Sequence, residues 1–192
     1  MNKKRFRGKT VFALTGMSEC GKSTVGKYLD SRGIPRLKIV KLFEKIRDEQ
    51  SPGADLREFV TKEERRDPYS LWDAFIEKLI EEMDSRAANV ASVESLYGGG
   101  LGSYLQEKMG DSFRIIYIDA PEKKRLEYQM IRENFSDIEV TKRFLLPRDK
   151  IKTESGIPQL KNIADEIIDN SGSLEDLLAS IDAIVERNFQ LN

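Results

Sequence analysis

The stretch that most constrains the chain is Thr10-Val-Phe-Ala-Leu-Thr15 followed at once by Gly16-Met-Ser-Glu-Cys-Gly-Lys-Ser-Thr24. The first six residues form the short apolar run that a buried parallel strand requires. The next nine begin with G-x-x-x-x-G-K-[ST], a loop whose backbone N–H groups cradle phosphates. Gly16 and Gly21 permit the tight curl, with Met17, Ser18, Glu19 and Cys20 supplying the amides between them. Lys22 is a mobile cation for the outer phosphates. Ser23 offers a hydroxyl to Mg²⁺, and Thr24 is a second hydroxyl beside it. A helix starting here turns its positive dipole end toward the anion. The pattern implies a nucleotide ligand.

The remaining composition narrows the chemistry. At 192 residues the chain suits one domain, residues 1–192, large enough for a proper core. Its 32 basic and 33 acidic residues leave a net charge of −1, so no general nucleic-acid surface is expected. The basic start, with Lys3, Lys4, Arg5, Arg7 and Lys9, reads as a solvated tail and not as a signal peptide. No apolar run approaches the length of about 20 residues that a membrane span needs. The single cysteine fits a reducing cytoplasm. Cys20 itself is either a reactive thiol at a helix start or a small filler residue. With no histidine, a Ser–His–Asp triad or a His-ligated zinc site is excluded. Chemistry must run on carboxylates, Lys, Arg, hydroxyls and a bound metal.

Strand and helix patterns alternate along the chain. A helix over 22–32 carries Val25, Tyr28 and Leu29 on one face and ends at Gly33-Ile-Pro35. A short strand is expected over 37–40, a polar helix over 41–49 and a turn at Ser51-Pro-Gly53. Residues 55–66 read as a charged helix outside the core. Asp67-Pro68 starts a helix to Ser85 with Leu71, Phe75, Leu79 and Ile80 spaced for burial. A strand over 89–95 leads to a flexible Gly98-Gly-Gly100 and a helix over 101–109. Phe113–Asp119 is the clearest central strand, followed by a helix over 122–133 with Arg125 and Arg132. Residues 136–160 have the composition of a lid. A last strand over 164–169 precedes a helix capped by Ser173-Leu-Glu-Asp176. This alternation predicts a three-layer α/β sandwich around a mostly parallel, five-stranded sheet, with ligands at the strands' carboxyl ends.

Three segments together resemble the nucleoside monophosphate kinase group of P-loop proteins, most of all dephospho-CoA kinases and the adenylate-kinase-related proteins best known from archaea. They are the strand and loop ending in Gly21-Lys22-Ser23, Arg114-Ile-Ile-Tyr-Ile-Asp-Ala-Pro121 with Arg125 and Arg132, and Arg148-Asp149 with Ile163–Gly172. The resemblance implies a P-loop, nucleotide-kinase-like fold with a mobile lid over 136–160 and an acceptor-binding arm over 41–66. It implies ATP and Mg²⁺ as cofactors, Arg125, Arg132 and Arg148 as lid-side phosphate contacts, and Asn170, Ser171 and Gly172 near the base. Arg47, Arg57, Arg65 and Arg66 are the arm's candidate anion contacts.

Two departures shape the expected substrate. Dephospho-CoA kinases carry an acidic residue after the first helix, where Gly33–Val40 has no carboxylate. The archaeal-type proteins carry an acid-Gly pair at the end of the third strand, where this chain has Ala91-Ser-Val-Glu-Ser-Leu96. Glu94 there is either a holder of Mg²⁺-bound water or a polar residue at a strand end. A phosphate acceptor is already anionic and needs no general base. The expectation is therefore transfer from ATP to a nucleoside monophosphate or a related phosphorylated metabolite, with dephospho-CoA a less favoured acceptor. The acceptor would lie between the arm and Tyr97-Gly98-Gly99. The alternative is a nucleotide-binding regulator or slow NTPase switch.

Overall fold

The computed structural model describes residue 6 and residues 8–190, and side chains as far as residue 188. Five strands, β1 (Thr10–Thr15), β2 (Arg36–Lys38), β3 (Val90–Glu94), β4 (Phe113–Asp119) and β5 (Glu166–Asp169), form one sheet in the order β2-β3-β1-β4-β5. Every pairing is parallel. β1 is central because all six of its residues are buried, which suits a strand covered on both faces.

The two-residue alternation sorts its side chains between the layers. Val11 and Ala13 of β1, with Ile115 and Tyr117 of β4, join a core built from helices α2 (Ile39–Gln50), α3 (Leu56–Arg66), α4 (Pro68–Ser85) and α5 (Gly99–Met109). Phe12, Leu14, Ile116 and Ile118 join the opposite core against α1 (Lys22–Ser31) and α9 (Leu174–Gln190). Between β4 and β5 run α6 (Glu122–Glu133), α7 (Ile138–Glu154) and the short α8 (Ile157–Leu160). Among the described residues, no helix is long and apolar enough to cross a membrane.

The caps formed where local chemistry required them. Asp55 and Asp67 accept backbone N–H groups at the starts of α3 and α4. Ser173 and Asp176 exchange hydrogen bonds at the start of α9.

Four local expectations need correction. The second strand is Arg36–Lys38 and not 37–40, because Ile39, Leu42, Phe43 and Ile46 are buried as one helical stripe. The glycines at 99 and 100 are the first turn of α5, not a flexible link, and a Cβ on Gly100 would sit 3.0 Å from the Trp72 ring. The charged helix α3 does reach the core, through Phe59. The 136–160 segment is mainly one helix running through Pro147, and Ile157 and Leu160 at its end are buried in the larger core. Of the basic start, Lys3, Lys4, Arg5 and Arg7 lie outside the described residues. Lys9 is tied to Asp84 at 2.6 Å.

Candidate functional site

The loop between β1 and α1 holds its shape through both glycines. Gly16 has φ of +131°, and a Cβ there would lie 2.3 Å from the Ile118 carbonyl oxygen. Gly21 has φ of +107°, and its Cβ would lie 2.8 Å from Asn170 Nδ2. Any side chain at either position meets both strain and a clash. Lys22 is buried, its Nζ donating to Gly16 O at 2.9 Å, Met17 O at 2.6 Å and Cys20 Sγ at 3.3 Å. Cys20 is itself buried. Asn170, at the end of β5, donates from Nδ2 to Cys20 O at 2.9 Å, while its buried Oδ1 has no hydrogen-bond partner. Asn170 thus braces the loop directly. Ser171 and Gly172 are exposed, and their carbonyl oxygens accept from Lys124.

Ser23 and Thr24 are exposed at the rim of a cavity of about 930 Å³. The Ser23 hydroxyl donates to Glu94 Oε1, while Arg36 donates from Nε to Glu94 Oε2. Glu94 ends β3 beside Leu14 and Lys38, so the sheet register delivers this carboxylate to the loop. A hydroxyl and a carboxylate at the mouth of a phosphate loop are the oxygen donors that Mg²⁺ takes, directly or through water. No group of three or more Cys, His or acidic residues suited to a metal occurs among the described residues. The metal's remaining ligands would be phosphate oxygens and water, the usual Mg²⁺ arrangement. The residues present fit that ion.

Helices α6 and α7 meet the loop through charges. Arg125 is buried and donates to Ala120 O at 3.2 Å, Ser18 O at 3.1 Å and Asp149 Oδ2. Asp149, also buried, accepts the Ser18 N–H at 3.2 Å on its other oxygen. Arg125 therefore clasps α6, α7 and the loop together and does not line the cavity. Arg132 and Arg148 do line it. Arg132 pairs with Glu19, and Arg148 lies 3.8 Å from the same Glu19 oxygen. Gln129 Oε1 accepts from both, at 3.1 and 3.3 Å. Glu19 is held at φ of +58°, an uncommon value outside glycine.

Sequence reasoning missed several lining residues. Lys152, one helical turn beyond Arg148, faces the cavity and is mostly buried. Burial first, and then the nearby Lys22 cation, push its pKa down to about 8, against the pull of Cys20, Asp149 and Glu19. The four-residue spacing from Arg148 was the available signal. Lys27 and Lys38 also line the cavity. Tyr128, Ile131, Leu174 and Leu177 add apolar and aromatic surface beside the loop.

The arm behaves differently. Arg47 donates to Ala54 O at 3.1 Å and pairs with Asp48, and Arg66 pairs with Glu63 at 2.5 Å. Arg57 and Arg65 are exposed. None of the four lines the cavity. Tyr97 packs on Phe43, and its hydroxyl is buried with no hydrogen-bond partner.

No protein-family model matches the chain. A UPF0200 protein of Saccharolobus islandicus is 26% identical over 182 residues, an alignment covering 92% of this chain and 93% of that relative. A dephospho-CoA kinase from Campylobacter jejuni has the same fold with a TM-score of 0.54 at 22% identity, covering 96% of this chain and 100% of that one. A gluconokinase from Sinorhizobium meliloti gives 0.53 at 16% identity, covering 95% and 97%. The chain has a P-loop kinase-like fold.

Proposed function

We propose that the protein is an ATP- and Mg²⁺-dependent phosphotransferase acting on a nucleoside monophosphate or a related small phosphorylated metabolite. One observation carries this reading. The cavity over the loop is lined by seven basic side chains and two carboxylates, a large excess of positive charge in one concave space. Such a cavity concentrates anions. A metal-bound triphosphate leaves part of that excess unneutralised, which suits an acceptor that is itself anionic.

The chain's own residues then divide the work. Amides of residues 16–22 cradle the donor phosphates, and Lys22 exchanges its loop carbonyls for the transferring group. Ser23, with Thr24 or Glu94 in support, holds the metal, which when bound neutralises charge on the phosphates. Arg132 and Arg148 face the same space from the lid, and Arg125 with Asp149 holds them there. An acceptor phosphate oxygen attacks the γ-phosphorus as the bond to the β-phosphate oxygen breaks, that electron pair leaving with ADP. No proton needs removing, in keeping with Arg36 and Lys38 where a general base would stand. A soluble, cytoplasmic small-molecule kinase follows from this reading.

A coupled ADP-release assay against common nucleoside and deoxynucleoside monophosphates and dephospho-CoA tests it. A strong response to one acceptor, lost in Lys22→Ala, is the expected result. The second reading, a nucleotide switch, draws on the pairing of Glu19 in the loop with lid Arg132, which links loop occupancy to lid position. Slow turnover indifferent to every acceptor would favour that switch.

A further inference from the structure

We infer that the acceptor's own phosphomonoester is held at the β2 edge of the cavity, by Lys27, Arg36 and Lys38, and not by the arm. The inference rests on the kinase reading and names the site within it.

Lys27 on α1 and Lys38 at the end of β2 both line the cavity. Both side chains are exposed, and neither makes a hydrogen bond or ion pair with a described residue. Lys62 and Lys123 are likewise unpaired but do not line the cavity, whereas Lys9, Lys41, Lys45, Lys78 and Lys161 each pair with a carboxylate. Two ammonium groups facing one concavity without counter-ions repel each other, and a dianion between them removes that cost. Arg36 joins them with its side chain laid over Gly26, where a Cβ would lie 3.1 Å from Nε. Glu94 engages Arg36 through Nε and Nη2, which leaves the Nη1 group for a ligand. Helix α2 starts at this point with Lys38 as its N-cap residue and no side-chain cap, so its first amides add partial positive charge.

The placement also suits transfer. Glu94 bridges Ser23 of the loop and Arg36 of the β2 edge, so the two anion sites share one carboxylate as their boundary. The arm arginines offer no competing site, since Arg47 and Arg66 are already paired and Arg57 and Arg65 are exposed and do not line the cavity.

The test uses inorganic phosphate as the probe, titrated into protein saturated with Mg²⁺ and a non-hydrolysable ATP analogue, with binding read by ³¹P line broadening. Wild-type protein should bind phosphate, and the double variant Lys27→Ala/Lys38→Ala should bind it at least about tenfold more weakly. The variant's affinity for the ATP analogue should change far less. Absence of phosphate binding in the saturated wild type would overturn the inference. So would an unchanged double variant, or loss of binding in Arg57→Ala/Arg65→Ala instead. If the ATP analogue itself fails to bind, the kinase reading fails separately. Phosphate is then titrated onto Lys22→Ala, and the same pair of double variants decides.

Discussion

The segments expected as a lid and as an acceptor-binding arm look alike as sequence and differ as structure. Both are charged, mostly helical segments carrying arginines, and both were expected to bring those arginines to phosphate. On the lid side, Arg125 and Arg132 of α6 and Arg148 of α7 all turn toward Ser18 or Glu19 of the phosphate loop. In the arm, Arg47, Arg57, Arg65 and Arg66 pair locally or face solvent. The difference lies in what anchors each segment. The 136–160 segment, besides burying Ile157 and Leu160, is fastened by a buried ion pair that also holds the loop, whereas the arm is fastened by apolar residues such as Phe59 and Ile46, with no ion pair to the loop among the described residues. A charged segment serves a site when its anchor is polar and part of that site.

The largest expected effect attacks the lid's anchor. Asp149→Ala leaves the Arg125 guanidinium buried without its counter-charge and should cost about 3–5 kcal/mol in urea unfolding. In the arm, Lys41→Ala removes a pair with Glu44 whose lysine is 65% exposed, and the loss should stay under about 1 kcal/mol. Equal losses would erase the comparison.

Next comes turnover. Removing the two cavity-facing arginines of α6 and α7, Arg132→Ala with Arg148→Ala, should lower kcat by about 10²–10³-fold if they stabilise charge in the transition state. The matching arm variant, Arg57→Ala with Arg65→Ala, should leave steady-state kinetics near wild type.

A third test titrates the lid. Lys152 has a folded pKa of about 8, below the ordinary 10.5. Above pH 8 it is neutral in the free protein, and a bound phosphate re-protonates it. Nucleotide binding should therefore take up a proton just above pH 8, and affinity should fall as pH rises further. Calorimetry in buffers of different ionisation enthalpy reads the uptake, which Lys152→Met should abolish. The linked stability term has the opposite trend. The unfolded chain binds the extra proton between pH 8 and 10.5, so the wild type should gain stability relative to Lys152→Met over that window.

The smallest effect sharpens the comparison most finely. Glu19→Gln releases Arg132 and Arg148 from a carboxylate inside the loop. Nucleotide affinity should rise by up to about fivefold, the scale of a partly exposed pair. A fall would show that Glu19 positions the arginines and does not merely occupy them.

What was readable in advance follows from how local each feature is. β1, the loop and α1 are contiguous, so one stretch specified strand, glycine turn and helix start together. The caps at Asp55, Asp67 and Ser173 act within three residues. β4 is apolar and buried from Ile115 to Ile118, as a strand covered on both faces requires, with Arg114 and Asp119 toward its two ends. Register and packing were less legible. Whether Ile39 began a helix or continued a strand depended on its burial beside Leu42, Phe43 and Ile46. Gly99 and Gly100 resembled a link because nothing in their own sequence shows the Trp72 ring packed over them.

The amino-acid sequence by itself determined a phosphate loop between a buried strand and a helix, in a chain of alternating strands and helices. Those features depend on φ restrictions, hydrophobic period and helix capping, all of which act over a few residues. Only the tertiary structure decided which charges meet. Ser18 finds Asp149 across 131 positions, Glu19 finds Arg132 across 113, and Ser23 finds Glu94 across 71. Electrostatic partners are chosen by distance and burial after the sheet has set its strand order, and no spacing along the chain encodes them.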